Sequence, residues 1–280
     1  MDASLNSSPP PANPNKALWE KGDFTRIAET MRDNGAQLVA GLGIGPGTQM
    51  LDLGCGDGTT ALPAAELGAD VLGIDIAANL VAAGTARARA AGLANLRFEE
   101  GDASHLDGVA DASFDLVLSL FGAMFAPRPY DVAKEMVRVT RPGGRIIMGN
   151  WIPGDPTLVA QILKVSAAYT PPPPEGFVSP MLWGDQAEVT KRFEAAGVSA
   201  TEIAFERVGW TFKFDGSPAE LLATFRDYYG PMMTAFDAAA QSGKANDLER
   251  ELTALFEAQN MATVGSEMPA VFLKVTVTRR

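Results

Sequence analysis

The sequence predicts a doubly wound α/β fold with a seven-stranded sheet and a helical cap toward the C-terminus. Three observations carry this. Short apolar runs alternate with helical segments up to residue 151, most of those runs are apolar on successive positions, and two further β-rich stretches flank a helical block in the last third. Strands apolar on successive positions belong in a parallel sheet covered on both faces, and right-handed crossovers then wind helices onto both sides.

Taken in order, residues 1–16 (MDASLNSSPPPANPNK) are polar and proline-rich, lack a signal-peptide pattern, and are expected to form a disordered tail. Ile27, Ala28, Met31, Leu38 and Val39 recur at helical spacing, so one leading helix is expected from Phe24 to about Ala40, ended by Gly41, Gly43, Gly45 and Gly47. Strand runs follow at 49–53 (QMLDL), 71–75 (VLGID), 95–99, 114–119 and 145–150. Helices are expected at 59–67, 77–91, near 104–109 and at 130–140, with Gly68 and Gly92 at helix ends and Pro142-Gly143-Gly144 as a tight turn. Residues 155–168 read as a helix and Tyr169 to Pro174 as an extended connector. Asp185 stands three residues before Glu188, and Ser217 three before Glu220 with Pro218 between, so both read as capped helix starts. Residues 200–214 and 269–278 are expected as strands six and seven, with helices at about 218–228, 231–241 and 246–259 between them. The expected division is a tail at 1–16, a cofactor-binding core at 17–154, a substrate cap at 155–265 including strand six, and the last core strand at 266–280.

A chain of 280 residues, 46% of them apolar, can bury one large core with a modest appended lobe. Its formal charge of -11, with no basic block beyond Arg279-Arg280, argues against a nucleic-acid partner, whose affinity rests on phosphate neutralisation. One cysteine, Cys55, excludes an internal disulfide, and no window reaches the roughly eighteen apolar residues a membrane helix needs. The expectation is a cytoplasmic protein acting on a small molecule, without metal, membrane or nucleic acid, and of open oligomeric state.

Function turns on residues 50–60, MLDLGCGDGTT, where Gly54, Gly56 and Gly58 form GxGxG after the first strand. Glycines there let the backbone bend sharply and approach a ligand closely. A phosphate loop needs GxxxxGK[ST], which is absent, and the dinucleotide GxGxxG would need a glycine where Thr59 stands. Asp52 sits at the end of the first strand and Asp57 within the loop, and two carboxylates beside a pyrophosphate are electrostatically unfavourable; beside a cation they help.

With the blocks after it, this stretch resembles the cofactor motif of class I methyltransferases that use S-adenosyl-L-methionine (SAM), whose fold is Rossmann-like. The resemblance implies that Asp52, the Gly54 and Gly56 backbone, Asp57 and Gly58 border the methionine part of SAM, and that Asp75 accepts both ribose hydroxyls. It places Ile76 on the adenine, Asp102 on its amino group, the Ala103 backbone on a ring nitrogen, and Ser119, Leu120 and Phe121 beside the reactive end. Trp19, in LWEKGDF, is similar to the leading segment of bacterial relatives of the ubiquinone and menaquinone methyltransferases, which closes over the cofactor.

The resemblance thus implies methyl transfer to a small-molecule acceptor, with O, N or C as the nucleophile and no catalytic side chain assigned. Two alternatives stay open: an NAD-dependent oxidoreductase on a similar sheet, and a non-catalytic SAM-binding module. Cys55 reads as a small packed residue, and His105, the single histidine, as a surface or helix-start residue. Trp151, Trp183, Trp210, Phe125, Tyr228 and Tyr229 are candidates for an apolar substrate pocket or for packing.

Overall fold

A computed structural model describes Asn13 and residues 15–280. Most of the expected tail therefore lies outside the described residues. Asn13 and Asn15 bond to the core, and Lys16 already opens the first helix.

Seven strands form one sheet in the order β3-β2-β1-β4-β5-β7-β6. They are β1 (Gln49–Leu53), β2 (Asp70–Asp75), β3 (Leu96–Glu100), β4 (Phe114–Leu120), β5 (Thr140–Trp151), β6 (Ile203–Phe214) and β7 (Ser266–Thr278). The first five run parallel, whereas β7 inserts antiparallel between β5 and β6. Because successive side chains point to opposite faces, each parallel strand feeds two cores. Met50, Leu116, Leu118 and Ile147 meet helices α3 (Arg32–Ala40), α4 (Ala61–Glu66) and α5 (Ala78–Ala90) on one face. Leu51, Val117, Ile146 and Met148 meet α6 (Pro129–Val139) and α8 (Gln186–Ala195) on the other. That two-sided burial is why the strands read as continuous apolar runs.

The same second core extends into helices α7 (Leu158–Ala167), α9 (Pro218–Tyr228), α10 (Gly230–Gln241) and α11 (Ala245–Gln259), which pack on one another as the cap. Within the stretch 155–265, α8 packs against α6 rather than against the other helices of the cap. No helix of the described residues is long and apolar enough to cross a membrane.

Three local expectations are corrected. The leading helix expected from Phe24 to about Ala40 is broken into α2 (Thr25–Glu29) and α3, with a further short helix α1 (Lys16–Glu20) before it: the Thr30 carbonyl is taken by the Lys213 amide of β6, and Asn34 Nδ2 donates to the Thr211 carbonyl, so the segment is tied to the far sheet edge at the break. Residues 104–109 form turns, closed by an isolated bridge between Asp102 and His105. Pro142-Gly143-Gly144 lies inside β5 as a bulge between the Thr140–Phe114 and Arg145–Leu116 pairs, where the Gly143 amide donates to the Arg279 carbonyl and the Arg279 amide to that of Gly144. Gly143 has φ +83, which glycine tolerates best.

The capping signals read from sequence are formed. Asp185 accepts from the Ala187 and Glu188 amides, and Ser217 and Glu220 make a reciprocal capping box at the start of α9. Ser217→Ala is expected to lower stability by about 1 kcal/mol, read as a shift of the urea midpoint at constant slope.

Candidate active site

Between β1 and β4 the strand order reverses, and the loops leaving their carboxyl ends cross there. Gly54 and Gly122 meet back to back: a Cβ on Gly54 would lie 2.6 Å from the Gly122 Cα. The glycine loop is fixed from below, since the Gly54 and Cys55 amides share the Ile74 carbonyl at 2.7 and 3.1 Å. From the other side Ser119 Oγ donates to the Leu53 carbonyl (2.6 Å) and accepts from the Ala123 amide (3.0 Å).

These loops wall a cavity. Of the residues singled out in the sequence, Trp19, Gly54, Gly56, Asp57, Asp75, Ile76, Ala103, Leu120 and Phe121 line it. Asp75 closes β2 and is held by two amides, Gly56 N to Oδ2 at 2.8 Å and Ala77 N to Oδ1 at 2.9 Å. Burial raises its pKa, and those two amides oppose the rise. Gly56, at φ +55, has open space where a side chain would begin. Phe121 has φ +60, a strained backbone for a non-glycine residue. It is held by its amide on the Gly149 carbonyl and by a ring stacked on Trp151 at 3.8 Å.

Asp52, Gly58, Asp102 and Ser119 do not line the cavity but lie behind its wall. Thr60, which does line it, donates to Asp52 Oδ2 at 2.6 Å, and Asp52 Oδ1 has no hydrogen-bond partner among the described residues. Burial, with Asp75 adding repulsion and the Thr60 hydroxyl opposing, pushes the Asp52 pKa up to about 7. Asp102 turns inward: Oδ1 caps the Ser104 amide and hydroxyl, while Oδ2 accepts from Asn13 and faces Arg128 at 3.5 Å. Gly58 packs against Leu62 and Phe98. Asp57 lines the cavity, yet its carboxylate engages Arg32 Nη2 at 2.8 Å and Arg87 Nη1 at 3.3 Å.

Sequence reasoning passed over Thr60, Gly122, Phe24, Met31 and Asn15, which also line the cavity. A glycine directly after the SLF of β4 was the one local signal among them. Cys55 is buried and its thiol pKa lies well above the usual range, chiefly from burial, so it is no thiolate nucleophile. His105 pairs with Asp107 at 2.8 Å, away from the cavity.

A second, apolar cavity adjoins the first and shares Trp19, Phe24, Met31, Phe121 and Phe125 with it. Its remaining walls include Trp151, Phe212, Phe225 and Tyr229. The ring of Trp19 packs 4.9 Å from Phe125 and 6.1 Å from Tyr229, closing one side of this aromatic chamber. Of the other aromatics considered, Trp210 lines the first cavity, Trp183 is buried under the Arg192 guanidinium, and Tyr228 is exposed.

A family profile described as "Methyltransferase domain" matches residues 51–148, the stretch that supplies most of the first cavity's floor. An uncharacterised protein of Mycobacterium tuberculosis is 35% identical over 247 residues, 88% of this chain and 88% of that protein. A demethylmenaquinone methyltransferase of a Mycobacterium sp. is 33% identical over 175 residues, 58% of this chain and 73% of that protein. The chain belongs to the class I SAM-dependent methyltransferases. For this methyltransferase the fold has a solved counterpart in a putative methyltransferase from Bacillus halodurans, with a TM-score of 0.58 at 16% identity over 88% of this chain and 99% of that one. The cofactor is SAM.

Proposed function

We propose that this methyltransferase moves the methyl group of SAM to a small apolar acceptor bound in the aromatic chamber. The features that fit the cofactor belong to the chain itself. Gly56 leaves its backbone open to a ligand, each Asp75 oxygen keeps a lone pair beyond its single amide bond, and Asp52 Oδ1 is unpartnered. Two buried carboxylates suit a cofactor that carries a sulfonium and an ammonium and no phosphate.

When bound, SAM supplies a methyl group on a positively charged sulfur. Asp75 would accept the ribose hydroxyls, Ile76, Leu80 and Ala103 would flank the adenine, and the Gly54 and Gly56 backbone would border the methionine part. Asp52 acts at one remove through Thr60, and Ser119 by holding the loop that carries Leu120 and Phe121. Asp102 fixes the turn at Ala103, and Gly58 lets the loop pack on Phe98. Asn15, bonded to the Phe125 carbonyl, and Trp19 close the mouth.

What supports the acceptor assignment is the shared aromatic wall of the two cavities, which sets a bound acceptor next to Phe121. Tyr229 carries the one titratable side chain on the chamber wall, and burial raises its pKa, so the phenol stays neutral and is a poor general base. The acceptor must bring its own nucleophilic O, N or C. The chamber contributes alignment and exclusion of water, and its apolar walls favour reactions that neutralise charge. Incubation with methyl-labelled SAM and cell-extract fractions, followed by mass spectrometry, should yield labelled apolar products. Titrations in which NADH binds and neither SAM nor its demethylated product does would overturn the proposal.

Asp52 makes SAM affinity pH-dependent. A carboxyl whose pKa is raised to about 7 is largely protonated at pH 6 and ionised at pH 8, and a bound cation favours the ionised form. Affinity should therefore rise with pH, by about tenfold from pH 6 to pH 8, flattening above the pKa. Calorimetric titration checks this, and Asp52→Asn should remove the slope.

A further inference from the structure

A third cavity lies between α7 and α10 and is lined by Leu163, Ser166, Ala167, Met232 and Ala235 among others. Ile162 and Tyr229 face both this outer cavity and the aromatic chamber, so their side chains form the partition between the two. Ala167 on its rim is exposed, which puts the outer cavity at the surface. Beside it the buried Ser166 hydroxyl has no partner among the described residues.

One side of the partition sits at a helix junction. Tyr229 is the single residue between α9 and α10, serving as C-cap of one and N-cap of the other with an extended backbone. Its ring touches other rings at 5.8 to 6.1 Å, through Phe225, Trp19 and Phe24, in tilted or edge-on contacts and without a hydrogen bond among the described residues. Those contacts are dispersion, so the ring can turn without breaking a hydrogen bond. The neighbouring backbone is clasped instead: a Cβ on Gly22 would lie 2.9 Å from the Tyr228 carbonyl carbon, and Gly230 sits against the Leu18 carbonyl. The backbone on either side of Tyr229 is therefore fixed, and an opening here is a rotation of the side chain.

We infer that the aromatic chamber has its own entrance between α7 and α10, gated by Tyr229 against Ile162, through which an apolar acceptor enters and its product leaves while the cofactor stays bound. This rests on reading the chamber as the acceptor site. Cofactor in the first cavity, under Trp19 and Asn15, obstructs the other route, so a second opening lets the acceptor exchange independently. Kinetically, acceptor and cofactor bind in random order.

The test uses a neutral fluorophore, N-phenyl-1-naphthylamine, mixed with the full chain in a stopped-flow instrument and read by emission sensitised from tryptophan, two of which, Trp19 and Trp151, line the chamber. With S-adenosylhomocysteine saturating, the wild type should still take up the probe. Ala167→Trp, which fills the outer cavity from an exposed position, should slow uptake tenfold or more, and Tyr229→Ala should speed it severalfold. Exclusion of the probe from the wild type by bound S-adenosylhomocysteine, or an Ala167→Trp rate equal to wild type, overturns the entrance. Calorimetry on the same samples separates the two readings. Failure of S-adenosylhomocysteine to bind removes the cofactor assignment, while the ratio of Ala167→Trp to wild-type uptake then decides the entrance in its absence.

Discussion

Asp75→Ala is expected to weaken binding of SAM and of its demethylated product by at least about a hundredfold, because two charge-assisted hydrogen bonds of roughly 1.5–3 kcal/mol each are removed. The carboxylate is pre-aimed. It ends β2 beside the glycine loop, and one amide fixes each oxygen, Gly56 on one and Ala77 on the other. Burial raises its pKa, and a hydrogen-bonding ligand reverses part of that by favouring the ionised form. The substitution also deprives the Gly56 amide of its acceptor, so a loss of affinity alone could come from a slackened loop. A cofactor analogue lacking the ribose 2′-hydroxyl separates the causes. It should bind the wild type more weakly than the parent compound, whereas Asp75→Ala should bind the two alike, the interaction having already been lost. Equal penalties for the analogue in both proteins would refute the ribose role, whatever the melting temperature does.

What the sequence disclosed and what it withheld divide along one physical line, the range over which the signal acts. Strand runs, the Asp185 cap and the Ser217 box are local, set by backbone geometry within a few residues; both caps form where read, and each run lies on a strand, with β5 reaching back to Thr140 and β6 starting only at Ile203. The glycine loop is local too, because the bend, the ligand-facing backbone and Asp52 lie within seven residues of one another. The break in the leading helix is not, since it depends on Lys213 reaching Thr30 across most of the chain. Nor is the aromatic chamber, whose walls run from Trp19 to Tyr229 and come from α1, α2, α7, β5, β6 and α9 as well as the loop after β4. Such residues share no period, so the composition of the acceptor site is visible only once the sheet has assembled. Asp102 shows the intermediate case: its position after β3 was legible, but its direction was set by Ser104, Asn13 and Arg128.

Asp57 belongs to the same case and gives the second large effect. In sequence it is a carboxylate in the cofactor loop; in the fold it is 1% exposed and braces the loop to two helices, with Arg32 from α3 at 2.8 Å and Arg87 from α5 at 3.3 Å. Arg87 also donates to the Asp57 carbonyl at 2.6 Å, so side chain and backbone are gripped together. Removing one member of a buried ion pair leaves the other charge uncompensated at roughly 3–5 kcal/mol. Both arginines keep partial contact with water, 27% and 29% exposed, which puts Asp57→Ala toward the lower end of that range. Domains of this kind hold only about 5–15 kcal/mol in total, so the urea midpoint should fall visibly. Pairing the change with Arg32→Met should recover part of the loss, because the stranded guanidinium is then gone; a coupling of about 0.5–3 kcal/mol is expected. A carboxylate whose main task is to hold the cofactor's cationic end behaves oppositely: Asp57→Ala would leave the midpoint in place, weaken SAM, and show no coupling to Arg32. The two outcomes differ in which measurement moves, and the brace predicts that saturating cofactor partly restores the midpoint, since a ligand that binds only the folded chain stabilises it by about 2.7 kcal/mol at a hundred times its Kd.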